Sequence, residues 1–141
     1  MARRDTKLES EGAEFLVLGQ LLVRGVSCYK AYTNMRDYDL VANSPDLRRA
    51  VTIQVKSRWD SSARGFFLRS ISTDFVVAVF LNMSASDESQ GPKPVYYVLP
   101  RRILRKYWRR ENTPKLYLPD IYRLERYRSA WHMIVEELRQ R

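Results

Sequence analysis

The chain has 141 residues, of which 45% are apolar, and this is enough for one domain with a hydrophobic core. Its net charge of +9 and pI of about 9.9 indicate an anionic partner, although a solubilising basic surface would give the same composition. The single cysteine, Cys28, excludes internal disulfides and a cysteine-rich zinc site, and it predicts a reducing, cytoplasmic location. No apolar stretch approaches the roughly 20 residues of a membrane span, and the start lacks a signal peptide's apolar core, so we expect neither.

The first predicted element is a helix over residues 6–24. Thr6 is the expected N-cap, with a glutamate at capping-box spacing, and Gly25 is the expected glycine that ends the helix. Two carboxylates lie in or beside its apolar stripe, Glu11 near the centre and Glu14 at the flank. A carboxylate on a buried face needs an ion pair or a metal ion, so each needs an explanation. Fraying of the helix end for Glu11 and a salt bridge for Glu14 are the structural alternatives. The stripe predicted to face the core consists of Leu8, Phe15, Leu18 and Leu22.

Three strands come next and are predicted to form an antiparallel meander. The third strand alternates apolar and polar residues, so Gln54 and Lys56 share one face. If the second and third strands are neighbours, Asp39 near the start of the second meets both side chains at one sheet edge. The predicted ranges are 26–33, 38–43 and 51–58, with a turn at 34–37.

The rest of the chain is predicted to add two strands and the C-terminal helices. The strand at 74–81 is a continuous apolar run, which is typical of burial on both faces. This order of elements predicts a single α/β domain (α+β, with a mixed sheet) over residues 1–141. The other predicted ranges are a short strand at 66–69, a loop at 83–93, a strand at 95–99, a basic helix at 101–110, an irregular segment at 112–122 and a last helix at about 124–139.

The side chains at the predicted sheet edge offer the groups that phosphodiester hydrolysis needs. Magnesium prefers carboxylates, carbonyls and waters. Asp39 offers a carboxylate, Gln54 a side-chain carbonyl and Val55 a backbone carbonyl, while Lys56 supplies a cation near the attacking water. Glu14 would complete the site if the first helix packs against this edge. We therefore expect a site for Mg²⁺, with Mn²⁺ as a possible substitute.

The ordered set of Glu14, Asp39 in a DLVA strand, and Gln54-Val55-Lys56 resembles the PD-(D/E)XK nuclease superfamily, whose fold is restriction-endonuclease-like. Within it, the layout is similar to archaeal-type Holliday junction resolvases. Those families place a glutamate eleven residues before the glycine that closes the first helix. Glu14 and Gly25 have that spacing. The resemblance therefore implies Glu14, although helical periodicity alone slightly favours Glu11.

The resemblance also implies that Asp39, rather than Asp37, binds the metal, and that Gln54 and Lys56 form the (D/E)XK element. Gln54 departs from the usual pattern, because most members have Asp or Glu there. Branches with QxK are known, so the departure leaves activity open and implies a lower metal affinity. Cys28 is expected in the core, and His132 lies far from the motif.

A basic segment points to nucleic acid independently. Residues 100–128 hold ten Lys or Arg and three Asp or Glu, so +7 of the +9 charge lies there. An ordinary amphipathic helix with a wet basic face is the alternative. The side chains predicted to share the basic face and contact DNA phosphates are Arg102, Arg105, Lys106 and Arg109.

These features together predict a Mg²⁺-dependent DNA endonuclease that recognises the backbone or shape of duplex or branched DNA. A homodimer would supply two sites for two strands. The main alternative is a non-catalytic nucleic-acid-binding module that reuses the fold, and its best support is Gln54. A basic scaffold that binds another protein through the C-terminal helices is a third, weaker hypothesis.

Overall fold

A five-stranded mixed sheet forms the centre of the protein, described here from a computed structural model that covers residues 5–32, 38–83 and 93–139. The helices are α1 (Thr6–Val23), α2 (Arg101–Tyr107) and α3 (His132–Arg139), and two 3₁₀ turns occupy Leu118–Asp120 and Leu124–Tyr127. The strands are β1 (Ser27–Lys30), β2 (Leu40–Asn43), β3 (Ala50–Arg58), β4 (Gly65–Phe67), β5 (Phe75–Phe80), β6 (Val95–Pro100) and β7 (Lys115–Tyr117).

The strand order in the main sheet is β1-β2-β3-β5-β6. The first three strands form the predicted antiparallel meander, β3 pairs with β5 in parallel, and β5 pairs with β6 antiparallel. This confirms the predicted α/β class with a mixed sheet. The strand β5 is buried along its whole length, as its apolar run indicates. The strands β4 and β7 pair separately as a two-stranded ribbon.

The two faces of the sheet are covered differently. One face, which carries Ile53 and Val77, packs against α1 and α3, and we call it the helical face. The other face carries Val76 and Leu99 and packs against α2 and the β4–β7 ribbon, and we call it the ribbon face. Each face has its own apolar core, so both sides of β5 are removed from water. Among the described helices, none has the length and apolarity needed to cross a membrane.

The ends of α1 agree only in part with the sequence. The N-cap is Asp5 and not Thr6, because the Asp5 carboxylate accepts hydrogen bonds from the backbone N–H groups of Lys7 (2.9 Å) and Leu8 (3.3 Å). At the other end, Gly25 has a φ of 81°, and its N–H donates to the Leu22 carbonyl at 2.9 Å. The glycine thus ends the helix as predicted, since the left-handed conformation costs a residue without Cβ little.

The predicted apolar stripe of α1 is wrong. Leu8 is 72% exposed, and Phe15 and Leu22 are about half exposed, whereas Leu18 is partly buried. The helix instead contacts the sheet through three apolar residues spaced four apart, and the small side chain of Ala13 lets the helix approach the sheet closely. The residues on that line are Ala13, Val17 and Leu21, all fully buried.

The C-terminal part also departs from the prediction. The helix expected at 124–139 is broken into a 3₁₀ turn and α3, because Ser129, with φ 48°, donates its N–H to the Tyr96 carbonyl on β6 at 2.8 Å. The basic helix α2 ends at Tyr107 rather than at 110, and β7 lies in the segment expected to be irregular. The predicted turn at 34–37 and most of the loop at 83–93 lie outside the described residues.

Cys28 lies on β1 and contributes to the helical-face core, as expected from the sequence. Burial raises the pKa of its thiol to about 11, although a backbone hydrogen bond from Tyr29 acts in the opposite direction.

Candidate functional site

Gln54 and Lys56 lie side by side on the ribbon face of β3. In the parallel register Gln54 is opposite Val76 and Lys56 is opposite Ala78, and both partners belong to the ribbon-face core. The two polar side chains are half-buried. The rigid strand therefore fixes an amide and an amine on one surface, as the alternation predicts.

Asp39 lies at the same level of the sheet, immediately before β2. Its N–H donates to the Ile53 carbonyl at 2.9 Å, and its Oδ2 accepts the Val55 N–H at 2.7 Å. The carboxylate thus satisfies a β3 donor between Gln54 and Lys56. Burial raises the pKa of Asp39, while the Val55 hydrogen bond and the charges of Lys56 and Lys30 oppose that rise. The Val55 carbonyl, a further ligand expected from the sequence, belongs to the same segment of β3.

Glu14 reaches this edge from α1. Its side chain is only 16% exposed. Burial, and secondarily the negative charge of Asp39, raise the pKa of Glu14 from 4.5 to about 7. The Lys30 ammonium lies 3.6 Å from Glu14 Oε1. The first helix packs against the helical face of the sheet, and the negative charge of Asp39 acts on Glu14.

Sequence reasoning missed Lys30. Its side chain is only 4% exposed, and its ammonium is hydrogen-bonded to Glu11 Oε1. The aromatic rings of Phe15 and Tyr32 lie beneath it, with centroids 4.3 and 5.4 Å from Nζ. Fraying of the helix end is therefore the wrong explanation for Glu11, which pairs with a buried cation. A signal was present in Glu14, because a carboxylate next to the buried residues of α1 requires a positive partner or a metal ion.

The donor set for a metal ion is small. Within residues 5–32, 38–83 and 93–139, no three His, Cys, Asp or Glu side chains lie close enough together to hold one. Glu14 and Asp39 supply two carboxylates, and Gln54 adds a neutral carbonyl oxygen. Two interacting, poorly solvated carboxylates form a charge arrangement that a bound cation relieves. All these donors are oxygens, which suits Mg²⁺ or Mn²⁺ better than a softer metal.

The predicted basic face of α2 is present in three of its four members. Arg102, Arg105 and Lys106 are exposed. Arg109 is not on the helix, and its guanidinium donates two hydrogen bonds of 2.7 Å to the Asp120 carboxylate. Arg109 therefore does not share the predicted helical face, because α2 ends two residues earlier and the Asp120 carboxylate binds its side chain.

Helix α2 begins close to the predicted site residues on β3. Its first turn follows Pro100, which lies opposite Phe75, while Lys56 lies at the level of Tyr97 two strands away. Strand spacing and rise put Lys56 and the start of α2 roughly 15 Å apart on the ribbon face, well within one turn of duplex DNA, about 34 Å.

A cleft of about 360 Å³ lies between α2 and α3. Arg102 and Arg105 line one side, and Glu136 and Glu137 on α3 also line it, so part of the basic charge is offset locally. His132 lies in the same cleft rather than beside Asp39, which agrees with its exclusion from the predicted site.

Comparison with known proteins supports the fold. No protein-family model matches the chain, and no curated protein matches it either. Among solved structures, the bacterial homing endonuclease I-Ssp6803I is similar, with a TM-score of 0.65 over 95% of each chain and 23% sequence identity. At that identity the likeness shows a shared fold. The α/β architecture of this chain is therefore one that a homing endonuclease also has.

Proposed function

We propose that this protein is a metal-dependent endonuclease of the PD-(D/E)XK superfamily, in its QxK form, and that it hydrolyses DNA phosphodiester bonds. The observation that carries the proposal is the convergence of the Asp39 carboxylate on the backbone of β3 between Gln54 and Lys56, with Glu14 close enough to interact with it. The fold of a homing endonuclease and the basic α2 on the ribbon face support it.

Each of these residues has a proposed role that follows from its chemistry. Glu14, Asp39 and Gln54 would hold Mg²⁺ or Mn²⁺, with the Val55 carbonyl as a further ligand. When bound, the ion would polarise the scissile phosphate and lower the pKa of a coordinated water. Lys56, whose charge reaches Asp39, would orient that water and offset the negative charge that develops on the phosphate. Asp39 is already fixed by its hydrogen bond to β3 and needs little reorganisation.

The proposed substrate surface is the exposed side of α2, the helix that covers part of the ribbon face. Arg102, Arg105 and Lys106 would contact phosphates and position the duplex, without reading bases. Backbone or shape recognition suits duplex and branched DNA equally. A homodimer would supply a second site for the opposite strand.

The testing experiment is cleavage of plasmid, linear and four-way-junction DNA with Mg²⁺ or Mn²⁺. Cutting should require the metal and should vanish in Lys56→Ala, while Lys7→Ala, which removes an exposed lysine at the start of α1, should cut normally. Metal-independent cutting, or full activity in Lys56→Ala, would refute the mechanism.

The second candidate is a non-catalytic DNA-binding module, favoured by the neutral Gln54 and by the small carboxylate set. It predicts DNA binding with no cleavage of any of the three substrates. Calorimetry with Mn²⁺ separates the two, because a nuclease site should bind the ion and Asp39→Ala should abolish that binding.

A further inference from the structure

The buried ammonium of Lys30 is a group that the proposed mechanism does not use. Lysine is rarely buried unless it is paired, because removing its charge from water costs several kcal/mol. Lys30 is nevertheless almost inaccessible on the inward side of β1, among Glu11, Glu14 and two aromatic rings. An arrangement with this many partners fixes the ammonium in one place.

The contacts of Lys30 with the two glutamates differ in kind. Its ammonium makes a direct hydrogen bond with Glu11, whose side chain is half exposed. The distance of 3.6 Å to Glu14 Oε1 exceeds that of a good hydrogen bond. Lys30 therefore attracts the Glu14 carboxylate without a close hydrogen bond to Oε1.

Lys30 is also tied to Asp39. It lies opposite Leu40 in the β1–β2 register, and the next residue, Ala31, donates its N–H to the Asp39 carbonyl at 2.9 Å. The positive charge of Lys30 acts on Asp39 as well as on Glu14. Without that charge, repulsion from Asp39 would push the Glu14 carboxylate out towards solvent.

We propose that Lys30 is a positioning residue that holds the Glu14 carboxylate beside Asp39, and that Glu11 locates the Lys30 ammonium. This inference rests on the proposed metal site. It assigns a role to the Glu11–Lys30 pair, neither member of which would touch the metal or the DNA. A purely structural ion pair would affect folding alone.

Calorimetric titration of the full chain with Mn²⁺, without DNA, tests the proposal. Lys30→Met keeps an unbranched side chain that is one atom shorter and removes its charge. It should weaken Mn²⁺ binding by about tenfold, because the metal must then order a side chain that Lys30 had held. Lys7→Met removes the same charge from the exposed start of α1 and should bind Mn²⁺ like the wild type.

The sign of the effect separates positioning from simple electrostatics. Loss of a positive charge near the site would by itself tighten the binding of a dication. Unchanged or tighter binding in Lys30→Met would therefore overturn the proposal. If the wild type itself binds no Mn²⁺, the proposed function fails and this inference with it, whereas normal wild-type binding with an unaffected Lys30→Met refutes the inference alone.

A second variant decides the question if Lys30→Met does not fold. Glu11→Gln alters a half-exposed side chain and releases the ammonium, which can then move onto Glu14 and compete with the metal. It should weaken Mn²⁺ binding by about threefold, on the scale of one reordered side chain. Glu9→Gln, on the same helix, removes an equal charge and should have no effect, and equal affinities in the two glutamine variants would contradict the role given to Glu11.

Discussion

The metal-free protein should lose stability as the pH rises from 5 to 8, because Glu14 becomes ionised in a buried position next to Asp39. Its pKa is about 7 in the folded protein, against 4.5 for an ordinary glutamate. A carboxyl whose folded pKa is raised binds more protons when folded than when unfolded, so its contribution is present at low pH and disappears as the pH passes through the folded pKa.

The magnitude follows from that pKa difference. At about 1.4 kcal/mol per pH unit, this difference sets an upper limit of about 3 kcal/mol on the contribution well below pH 4.5. Because solvent screens a carboxyl that is only partly buried, roughly 1 to 2 kcal/mol is lost between pH 5 and pH 8. Burial also raises the pKa of Asp39, so its contribution to the pH dependence has the same sign. Glu14→Gln removes the titrating group at nearly constant size.

Urea unfolding with EDTA at pH 5 and pH 8 measures this difference. The gap in unfolding free energy between wild type and Glu14→Gln should change by roughly 1 to 2 kcal/mol between the two pH values, with Glu14→Gln relatively more stable at pH 8. Glu9→Gln serves as the matched control on α1 and should follow the wild type. If Glu14→Gln also follows the wild type at both pH values, the pKa of Glu14 is not raised in the folded protein and the reasoning fails.

Three further predictions concern other parts of the molecule. Asp39→Asn should be more stable than Asp39→Ala by about 1 to 3 kcal/mol in metal-free urea unfolding, because the amide oxygen can still accept the Val55 N–H; equal stabilities would contradict that hydrogen bond. In fluorescence anisotropy, Arg105→Ala should weaken binding to duplex DNA and reduce the magnitude of the slope of log K against log salt by about 1. Arg109→Ala should leave that slope unchanged, because Asp120 holds the Arg109 guanidinium. Gly25→Ala should lower stability by about 1 kcal/mol in thermal unfolding, since alanine is strained at φ 81°, and a neutral effect would argue against the left-handed helix end.

The parts of the fold that the sequence predicts well are those decided by local pattern. The alternation around Gln54 identifies both β3 and the face on which Gln54 and Lys56 lie, and the uninterrupted apolar run of β5 identifies a strand buried on both sides. The position of Asp39 next to Gln54 follows from the antiparallel meander, because a short connection between neighbouring strands allows few pairing registers.

The failures arise where the outcome depends on contacts between distant segments. Helix α1 has two rows of apolar residues at helical spacing. Only the packing of the helix against the sheet determines that Val17 faces the core and Phe15 does not. Lys30 pairs with Glu11, nineteen residues away, so its role depends on how β1 lies against α1. Arg109 is removed from the basic face by Asp120, which no helical periodicity could reveal.

The buried thiol of Cys28 makes the opening of the first edge strand directly measurable. A thiol with a pKa of about 11 is almost entirely protonated at pH 8, and alkylating reagents react with thiolates. Labelling of the native protein should therefore be limited by how often β1 detaches from the sheet. Because Lys30 lies two residues along the same strand, the labelling rate with and without Mn²⁺ would report whether an occupied metal site holds that strand closed.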